Sequence, residues 1–250
     1  MLQTILLTLV AAVPSETLFA QKEVKNIVLV HGAFADGSGW EAVYNVLKKK
    51  GFNVAVVANP NTSFAEDVAA AKRTIDRMDG PVLLVGHSYG GAIITEAGNS
   101  EKVVGLVYIA AFVPDEGETL LQLIQAGPPA KNSGIEPPSA DGFVWYGKAK
   151  FHSGFCADLS KEKADFMYDS QVPIVASAFA TTVNKAAWKT KPSWFILATE
   201  DQTVPADGAR FMAKRAKSKL IEIKGSHVVF MSQPKAVADV IVSAAKGSSK

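Results

Sequence analysis

The stretch VGHSYGG, residues 85–91, carries a G-x-S-x-G pattern centred on Ser88. Such a short pattern also occurs by chance, so its meaning depends on the flanking sequence. The apolar run VLLV (82–85) precedes the pattern, and AIITEAGN (92–99), which is typical of a helix, follows it. Strand, tight turn and helix in this order predict a nucleophile elbow, in which the glycines make room for a strained serine.

Apolar runs of strand length recur along the chain and alternate with helical patterns. Most of the runs are continuous and rich in Val, Ile and Leu, as expected for parallel strands covered on both faces. The predicted strands are residues 26–30, 53–57, 82–85, 103–109, 193–198 and 220–223. Helical stripes span 40–47, 64–78 and 237–244, and capping boxes at Ser38–Glu41 and Ser63–Glu66 open the first two. The predicted class is α/β, with a mostly parallel central sheet and helices on both faces.

One interval interrupts this alternation. Residues 113–188 contain Gly/Pro/Ser-rich segments, several aromatic residues and a helical segment near 159–170, but no clear strand. A connection of this length is better explained as an inserted cap than as a structureless loop. We therefore expect a core formed by residues 21–112 and 189–250, with the cap inserted between them.

The N-terminal segment has the pattern of a secretory signal. The apolar run at residues 5–13 is too short to span a membrane, and small residues lead to a cleavage position after Ala20. We predict a signal peptide over residues 1–20 and a periplasmic or secreted protein; the alternative is an N-terminal extension packed on the body of a cytoplasmic protein.

Composition restricts the partners. Of the 250 residues 48% are hydrophobic, and the formal net charge is only +2, which favours neither disorder nor a nucleic-acid surface. Cys156 is the single cysteine, so no intramolecular disulfide can form. We expect a small-molecule partner, no nucleic acid and no membrane span; the oligomeric state is not visible in the sequence.

If Ser88 is a nucleophile, it requires a base, and the chain offers four histidines. His87 is adjacent to Ser88 and is interpreted as structural, His31 ends the first strand, and His152 lies in the cap. His227 follows the last predicted strand near the end of the chain and is therefore the candidate base.

The acid should follow another strand and precede the histidine. Glu200 and Asp201 follow the run at 193–198 after Thr199, and we choose Asp201 as the acid that orients His227. Asp115 and Glu116, after the run at 103–109, are rival candidates.

An oxyanion hole requires two backbone N–H groups. Tyr89 follows the nucleophile and supplies one, and the HGAF loop at residues 31–34 supplies the other, with Ala33 as the donor. These elements all fall just beyond the carboxyl ends of predicted strands, where open α/β sheets bind ligands.

With these residues assigned, the chain after residue 25 resembles the α/β-hydrolase superfamily. The segments that carry the resemblance are HGAFADGSGW (31–40), GHSYGG (86–91), ATEDQTVP (198–205) and GSHVVF (225–230). The pattern is similar to small esterases grouped with plant methyl esterases and hydroxynitrile lyases. The resemblance implies a Ser88, Asp201, His227 triad and a cap-covered acyl pocket.

Differences from related enzymes of this fold argue against some of their reactions. Related epoxide hydrolases and haloalkane dehalogenases use an aspartate nucleophile where this chain has Ser88. Hydroxynitrile lyases carry a lysine next to the catalytic histidine, and Val228 stands there in this chain, which argues against cyanogenic lyase activity.

We therefore expect a serine hydrolase that cleaves apolar or aromatic carboxylic esters through an acyl-enzyme, without metal or organic cofactor. Lactonase or cofactor-free perhydrolase chemistry would use the same triad. A ligand-binding or receptor-like protein with weak turnover is the alternative from a different class. Phe34, Phe112, Trp145 and Phe179 are the predicted substrate-binding residues.

Overall fold

The computed structural model describes residues 23–127, 130 and 132–249. The predicted signal peptide at residues 1–20 lies outside them. No helix within these ranges combines the length and the apolar character needed to cross a bilayer.

A six-stranded parallel sheet forms the centre of the molecule. In chain order the strands of the described residues are β1 (Asn26–Val30), β2 (Asn53–Val56), β3 (Val82–His87), β4 (Val103–Ile109), β5 (Phe143–Val144), β6 (Ile174–Val175), β7 (Ser193–Ala198) and β8 (Lys219–Ile223). The central sheet has the order β2-β1-β3-β4-β7-β8, and β5 pairs with β6 in a separate antiparallel sheet. The predicted α/β class and parallel sheet are thus confirmed, with strand ends shifted by one or two residues.

Helices cover the sheet between the strands. They are α1 (Glu41–Lys49), α2 (Phe64–Asp76), α3 (Gly90–Ala97), α4 (Leu120–Gln125), α5 (Lys148–Lys150), α6 (Lys161–Asp169), α7 (Ala176–Ala180), α8 (Ala206–Arg215), α9 (Val229–Ser232) and α10 (Pro234–Gly247). Short 3₁₀ helices span Gly37–Trp40 and Ala187–Lys189, and a π-helical turn spans Phe151–Phe155. Helix α1 packs against α10, and α2 packs against α3.

The predicted capping box at Ser38–Glu41 is not formed. The Asp36 carboxylate instead accepts a hydrogen bond of 2.7 Å from the amide of Ser38, which opens the 3₁₀ helix, and α1 follows without a side-chain cap. The prediction failed because a 3₁₀ helix precedes α1. Its N-cap is Asp36, two residues before Ser38, which was the expected cap. At α2 the Ser63 hydroxyl does accept from the Glu66 amide, at 3.1 Å.

The interval at residues 113–188 is more regular than its sequence suggested. It holds α4 to α7 and the two strands of the small sheet, and α6 corresponds to the helical segment expected near 159–170. The strands β5 and β6 were missed because two-residue strands carry no readable alternation. The division of the chain into core and cap remains a prediction.

Close backbone approach explains the glycines around Ser88. A Cβ atom on Gly86 would lie 2.5 Å from the carbonyl oxygen of Gly90, and one on Gly90 would lie 2.7 Å from that of His31. A Cβ on Gly91 would lie 2.2 Å from the carbonyl oxygen of Phe112. Real Cβ atoms do not approach oxygen this closely, so glycine is required where α3 crosses the strand ends.

A buried histidine joins the ends of β3 and β8. The Nε2–H of His87 donates to the carbonyl oxygen of His227 at 2.9 Å, and the His87 ring packs against Trp40 and Phe230. Burial, followed by the proximity of His227, holds the pKa of His87 well below its ordinary value of 6.5. Burial also lowers the pKa of His31. Both rings are therefore neutral in the folded protein near pH 7.

We expect Gly90→Ala to destabilise the protein by about 1–3 kcal/mol, because the added methyl group meets backbone rather than a movable side chain. The matched control is Gly208→Ala. Gly208 lies exposed in α8 with no heavy atom within 4 Å of the added Cβ, so this substitution should stabilise by about 0.5–1 kcal/mol. Urea unfolding measures both changes; equal effects of the two substitutions would contradict the packing argument.

The histidines also predict how stability depends on pH. Below about pH 6.5 the unfolded chain binds a proton on His87 that the folded chain excludes, so stability should fall as pH decreases through that value. Each such proton contributes a slope of up to about 1.4 kcal/mol per pH unit. We expect His87→Gln to reduce the slope between pH 7 and pH 5, measured by urea unfolding at constant m-value. An unchanged slope would show that His87 is not excluded from protonation.

Candidate active site

Four loops meet at the carboxyl edge of the central sheet. They follow β1, β3, β7 and β8, and they carry Ala33, Ser88, Asp201 and His227 respectively. The structure brings the predicted serine, acid and histidine into one hydrogen-bonded line, although 139 residues separate the serine from the histidine.

Ser88 occupies a strained turn. Its φ is +52°, in the left-handed region that residues other than glycine rarely adopt, at a cost of order 1–3 kcal/mol. The turn is held from both sides: the Ser88 amide donates to Ile109 at 3.2 Å, and its carbonyl accepts from Gly91 at 2.9 Å and from Phe112 at 3.2 Å. This conformation presents the hydroxyl at the edge of the sheet, where it lies 2.9 Å from Nε2 of His227.

His227 lies between the serine and the acid. Its ring is fully buried, and its Nδ1 is 2.8 Å from Oδ2 of Asp201. The other oxygen of Asp201 accepts from the amides of Thr203, at 2.7 Å, and Val204, at 3.0 Å. Because a carboxylate only accepts, Nδ1 of His227 must donate to it, which leaves the Nε2 lone pair facing the Ser88 hydroxyl.

The rival acids lie elsewhere. Glu200 points to solvent and forms an exposed ion pair with Lys224 at 3.6 Å. Asp115 and Glu116 both pair with Lys189, at 2.6 and 3.6 Å. The choice of Asp201 over its rivals therefore agrees with the hydrogen bonding of His227.

The HGAF loop lies directly against the serine. A Cβ on Gly32 would be 2.7 Å from Cβ of Ser88, so only glycine allows the approach. Ala33 and Tyr89 line the same cavity as Ser88, and among the described residues no hydrogen bond from either backbone amide to a loop or turn is found. Two free N–H groups beside a buried hydroxyl are what an oxyanion hole requires.

Sequence reasoning missed a buried acid behind Tyr89. The Tyr89 hydroxyl donates to Asp67 at 2.6 Å, and the other oxygen of Asp67 accepts from the amide of Asn61 at 2.7 Å. Burial raises the pKa of the fully buried Asp67, against the opposing effect of the Tyr89 hydrogen bond. A signal was available, since Asp67 follows Phe64 by three residues and lies on the apolar stripe of α2.

A cavity of about 700 Å³ opens beside Ser88. Its walls are mostly apolar, and they come from the interval at 113–188 and from α8 as well as from the sheet edge. Among the lining residues are Phe34, Phe112, Leu123, Ile124, Phe155, Phe179, Phe211 and Met212. Three of the four predicted substrate-binding aromatics, Phe34, Phe112 and Phe179, therefore line the cavity.

The prediction for Trp145 is wrong. Trp145 is 42% exposed and does not line the cavity. It follows β5, where side chains alternate, so that Val144 and Tyr146 point inward and Trp145 points to solvent. Tyr146 takes the interior position and packs edge-on against Phe34 at 5.6 Å.

The single cysteine takes no part in this site. Burial raises the pKa of Cys156 to about 12, so it is a thiol rather than a thiolate near neutral pH. Among the described residues, no group of three or more His, Cys, Asp or Glu side chains has the geometry of a metal site.

Comparison with known proteins places these features in a family. The model of the alpha/beta hydrolase family matches residues 27–240. A carbendazim hydrolyzing esterase from a Nocardioides species is 29% identical over 178 residues; the match covers 65% of each protein, so this chain spans just under two thirds of that relative.

Two further matches extend over more of the chain. Salicylic acid-binding protein 2 of Nicotiana tabacum is 26% identical in an alignment of 258 positions, gaps included, that covers 85% of this chain and 94% of the relative. The crystal structure of a pyrethroid hydrolase from Sphingobium faniae shares the fold, with a TM-score of 0.78 at 22% identity, over 89% of this chain and 98% of the other. The chain therefore belongs to the alpha/beta hydrolase family.

Proposed function

We propose that this protein is a serine hydrolase that cleaves carboxylic esters through an acyl-enzyme. The observation that carries the proposal is the line of hydrogen bonds from Asp201 through His227 to Ser88, with distances of 2.8 and 2.9 Å, beside an apolar cavity. The family and the names of its esterase relatives agree with this activity.

In the first half of the reaction, the Ser88 oxygen attacks the ester carbonyl carbon while Nε2 of His227 takes the hydroxyl proton. The carbonyl oxygen becomes an oxyanion and accepts hydrogen bonds from the amides of Ala33 and Tyr89. The intermediate collapses, the ester C–O bond breaks, and His227 returns the proton to the departing alkoxide. An alcohol leaves, and the acyl group stays on Ser88.

In the second half, His227 takes a proton from a water molecule that attacks the acyl-enzyme. Collapse of this second intermediate releases the carboxylic acid and returns the proton to Ser88. Asp201 remains a carboxylate throughout, stabilises the imidazolium and keeps Nδ1 protonated. No step requires a metal or an organic cofactor.

The cavity supports apolar or aromatic esters of small to medium size. Its volume of about 700 Å³ lies in the range typical of small-molecule sites, and its walls bear few polar side chains. Among the described residues that line the cavity, Asp207 is the charged one, and its exposed side chain pairs with Arg210 at 3.6 Å. Lactones or peracids would react through the same groups.

Ligand binding with weak turnover is the second candidate function. The likeness to a protein named for binding salicylic acid favours it, because that relative matches over 85% of this chain. A free Ser88 hydroxyl in contact with His227 would have no evident purpose in a protein that only binds.

We also propose that residues 113–188 act as a cap that determines which substrates reach Ser88, since Leu123, Ile124 and Phe179 from this interval line the cavity. The signal-like pattern at residues 1–20 supports export to the periplasm or the medium.

We expect Ser88→Ala to abolish labelling by a fluorophosphonate probe and to lower ester turnover by at least about 10³-fold, because the attacking oxygen is lost. Ser177→Ala, at an exposed serine in α7, is the control and should keep both properties. Labelling that persists in Ser88→Ala, or no labelling of the unaltered protein, would instead favour the ligand-binding function.

The cavity predicts which aromatic residue affects substrate binding. Phe179→Ala removes a ring from the wall, and the loss of about 1.5 kcal/mol of apolar contact should raise KM for p-nitrophenyl hexanoate roughly tenfold. Trp145→Ala is the matched control, because that ring lies outside the cavity, and it should leave KM unchanged. Equal effects of the two substitutions would place the substrate elsewhere.

A further inference from the structure

A segment of the inserted interval contacts both catalytic loops. We call it the strap; it comprises residues 151–158, FHSGFCAD, and begins with the π-helical turn. Such turns are rare in proteins and are frequent at functional sites. The strap lies between the loop that carries Asp201 and the loop that carries His227.

Asp158, at the end of the strap, holds the histidine loop. Its Oδ2 accepts from the amide of Ser226 at 2.8 Å and from the hydroxyl of Ser232 at 2.6 Å, and its Oδ1 accepts from the Ser226 hydroxyl. Ser226 directly precedes His227. One carboxylate thus fixes both the backbone and the side chain of the residue next to the candidate base.

The charge of Asp158 is stabilised by these bonds. Partial burial acts to raise the pKa of Asp158, but the hydrogen bonds from Ser226 and Ser232 outweigh it and hold the pKa below its usual range. Each oxygen of this carboxylate accepts at least one of the three hydrogen bonds. The carboxylate therefore restrains both the position and the orientation of its donors.

The strap also contacts the acid loop and the histidine ring. The Thr203 hydroxyl donates to the carbonyl of Gly154 at 3.0 Å, and the Thr203 amide is one of the donors that fix Asp201. The Phe155 ring packs edge-on against the His227 ring, with 5.1 Å between centroids. The strap therefore contacts the loop of Asp201, the loop of His227 and the His227 ring itself.

We propose that Asp158 is a positioning residue that keeps the His227 imidazole aligned between Asp201 and Ser88. The inference rests on the proposed function, in which His227 transfers the proton of Ser88. Without the carboxylate, Ser226 loses the acceptor of its amide and of its hydroxyl, and the histidine loop gains freedom. Since proton transfer requires a short and linear contact, alignment affects turnover more than substrate binding.

The test is Asp158→Asn, assayed with p-nitrophenyl butyrate. An amide keeps the shape but offers an NH₂ group to one of the serine donors, so we expect kcat to fall about tenfold while KM stays within about twofold. Asp165→Asn is the matched control: Asp165 lies in α6 of the same interval, and within the described part of the chain its carboxylate forms an ion pair with Lys161, four residues away, so the variant should keep the original kcat.

A double-mutant cycle separates positioning from general destabilisation. If Asp158 acts through Ser226, then Ser226→Ala should lower kcat by a similar factor, and the double variant should be no slower than either single variant. Thermal unfolding of Asp158→Asn is measured in parallel. An unchanged kcat, multiplicative losses in the double variant, or a fall in kcat that follows only from partial unfolding would each overturn the proposal.

A spectroscopic measurement tests the geometry without turnover. The proton shared by His227 Nδ1 and Asp201 should give a low-field NMR resonance in the unaltered protein, and Asp158→Asn should shift or broaden it while Asp165→Asn should not. Absence of ester turnover in the unaltered protein would refute the proposed function; an unaltered resonance in Asp158→Asn would refute the positioning role. The two failures are thereby distinguishable.

Discussion

The site depends on the register of the parallel sheet. Val30 lies opposite Gly86, His87 opposite Ile109 and Ala198 opposite Ile223, and β4 pairs with β7, so the five strands β1, β3, β4, β7 and β8 end at nearly the same level. Strands β1 and β3 are buried along their whole length, and a slip of one residue would turn every side chain to the other face. Burial on both faces therefore fixes the register, and the register brings distant loops within hydrogen-bond distance.

Polar contacts then lock the loops to one another. The amide of Glu200 donates to Gly225 at 3.0 Å, and His87 donates to the carbonyl of His227 at 2.9 Å. These bonds restrain the backbone of the loops that carry Asp201 and His227, independently of the side-chain contact between those two residues. Such support is required because Ser88 is held in a strained conformation that would relax if its neighbours moved.

Much of the core was readable from the sequence, since buried parallel strands appear as continuous apolar runs and each candidate site residue follows such a run. The candidates Ser88, Asp201 and His227 are selected by their order in the chain and by their place after strands, and the structure brings them within hydrogen-bond distance. Helix α8 was missed although Phe211 and Met212 line the cavity. Its buried residues Ala209, Met212 and Ala213 do follow helical spacing, but two of the three are alanine, so the apolar stripe is weak in the sequence.

Other residues could not be found from local pattern. Trp145 was assigned by residue type, whereas the alternation along β5 sends its ring to solvent. The contacts of Asp158 with Ser226 span 68 residues and depend on how the strap folds back over the sheet edge. No spacing rule connects two loops that belong to different parts of the chain, and such contacts become visible only with the structure.

Different segments of the chain supply the polar and the apolar parts of the site. Backbone and side chains of the sheet loops supply the polar atoms beside Ser88, whereas the interval at 113–188 and α8 supply most of the apolar walls. The aromatic residues Phe151 and Phe155 of the strap pack on each other and on Tyr146, with ring centroids 5.1 to 5.6 Å apart, so a small aromatic cluster supports the strap. Under the proposed function, substitutions in the walls can therefore change substrate preference without moving Ser88 or His227, provided that Gly154 and Asp158 keep their hydrogen bonds to the loops that carry Asp201 and His227.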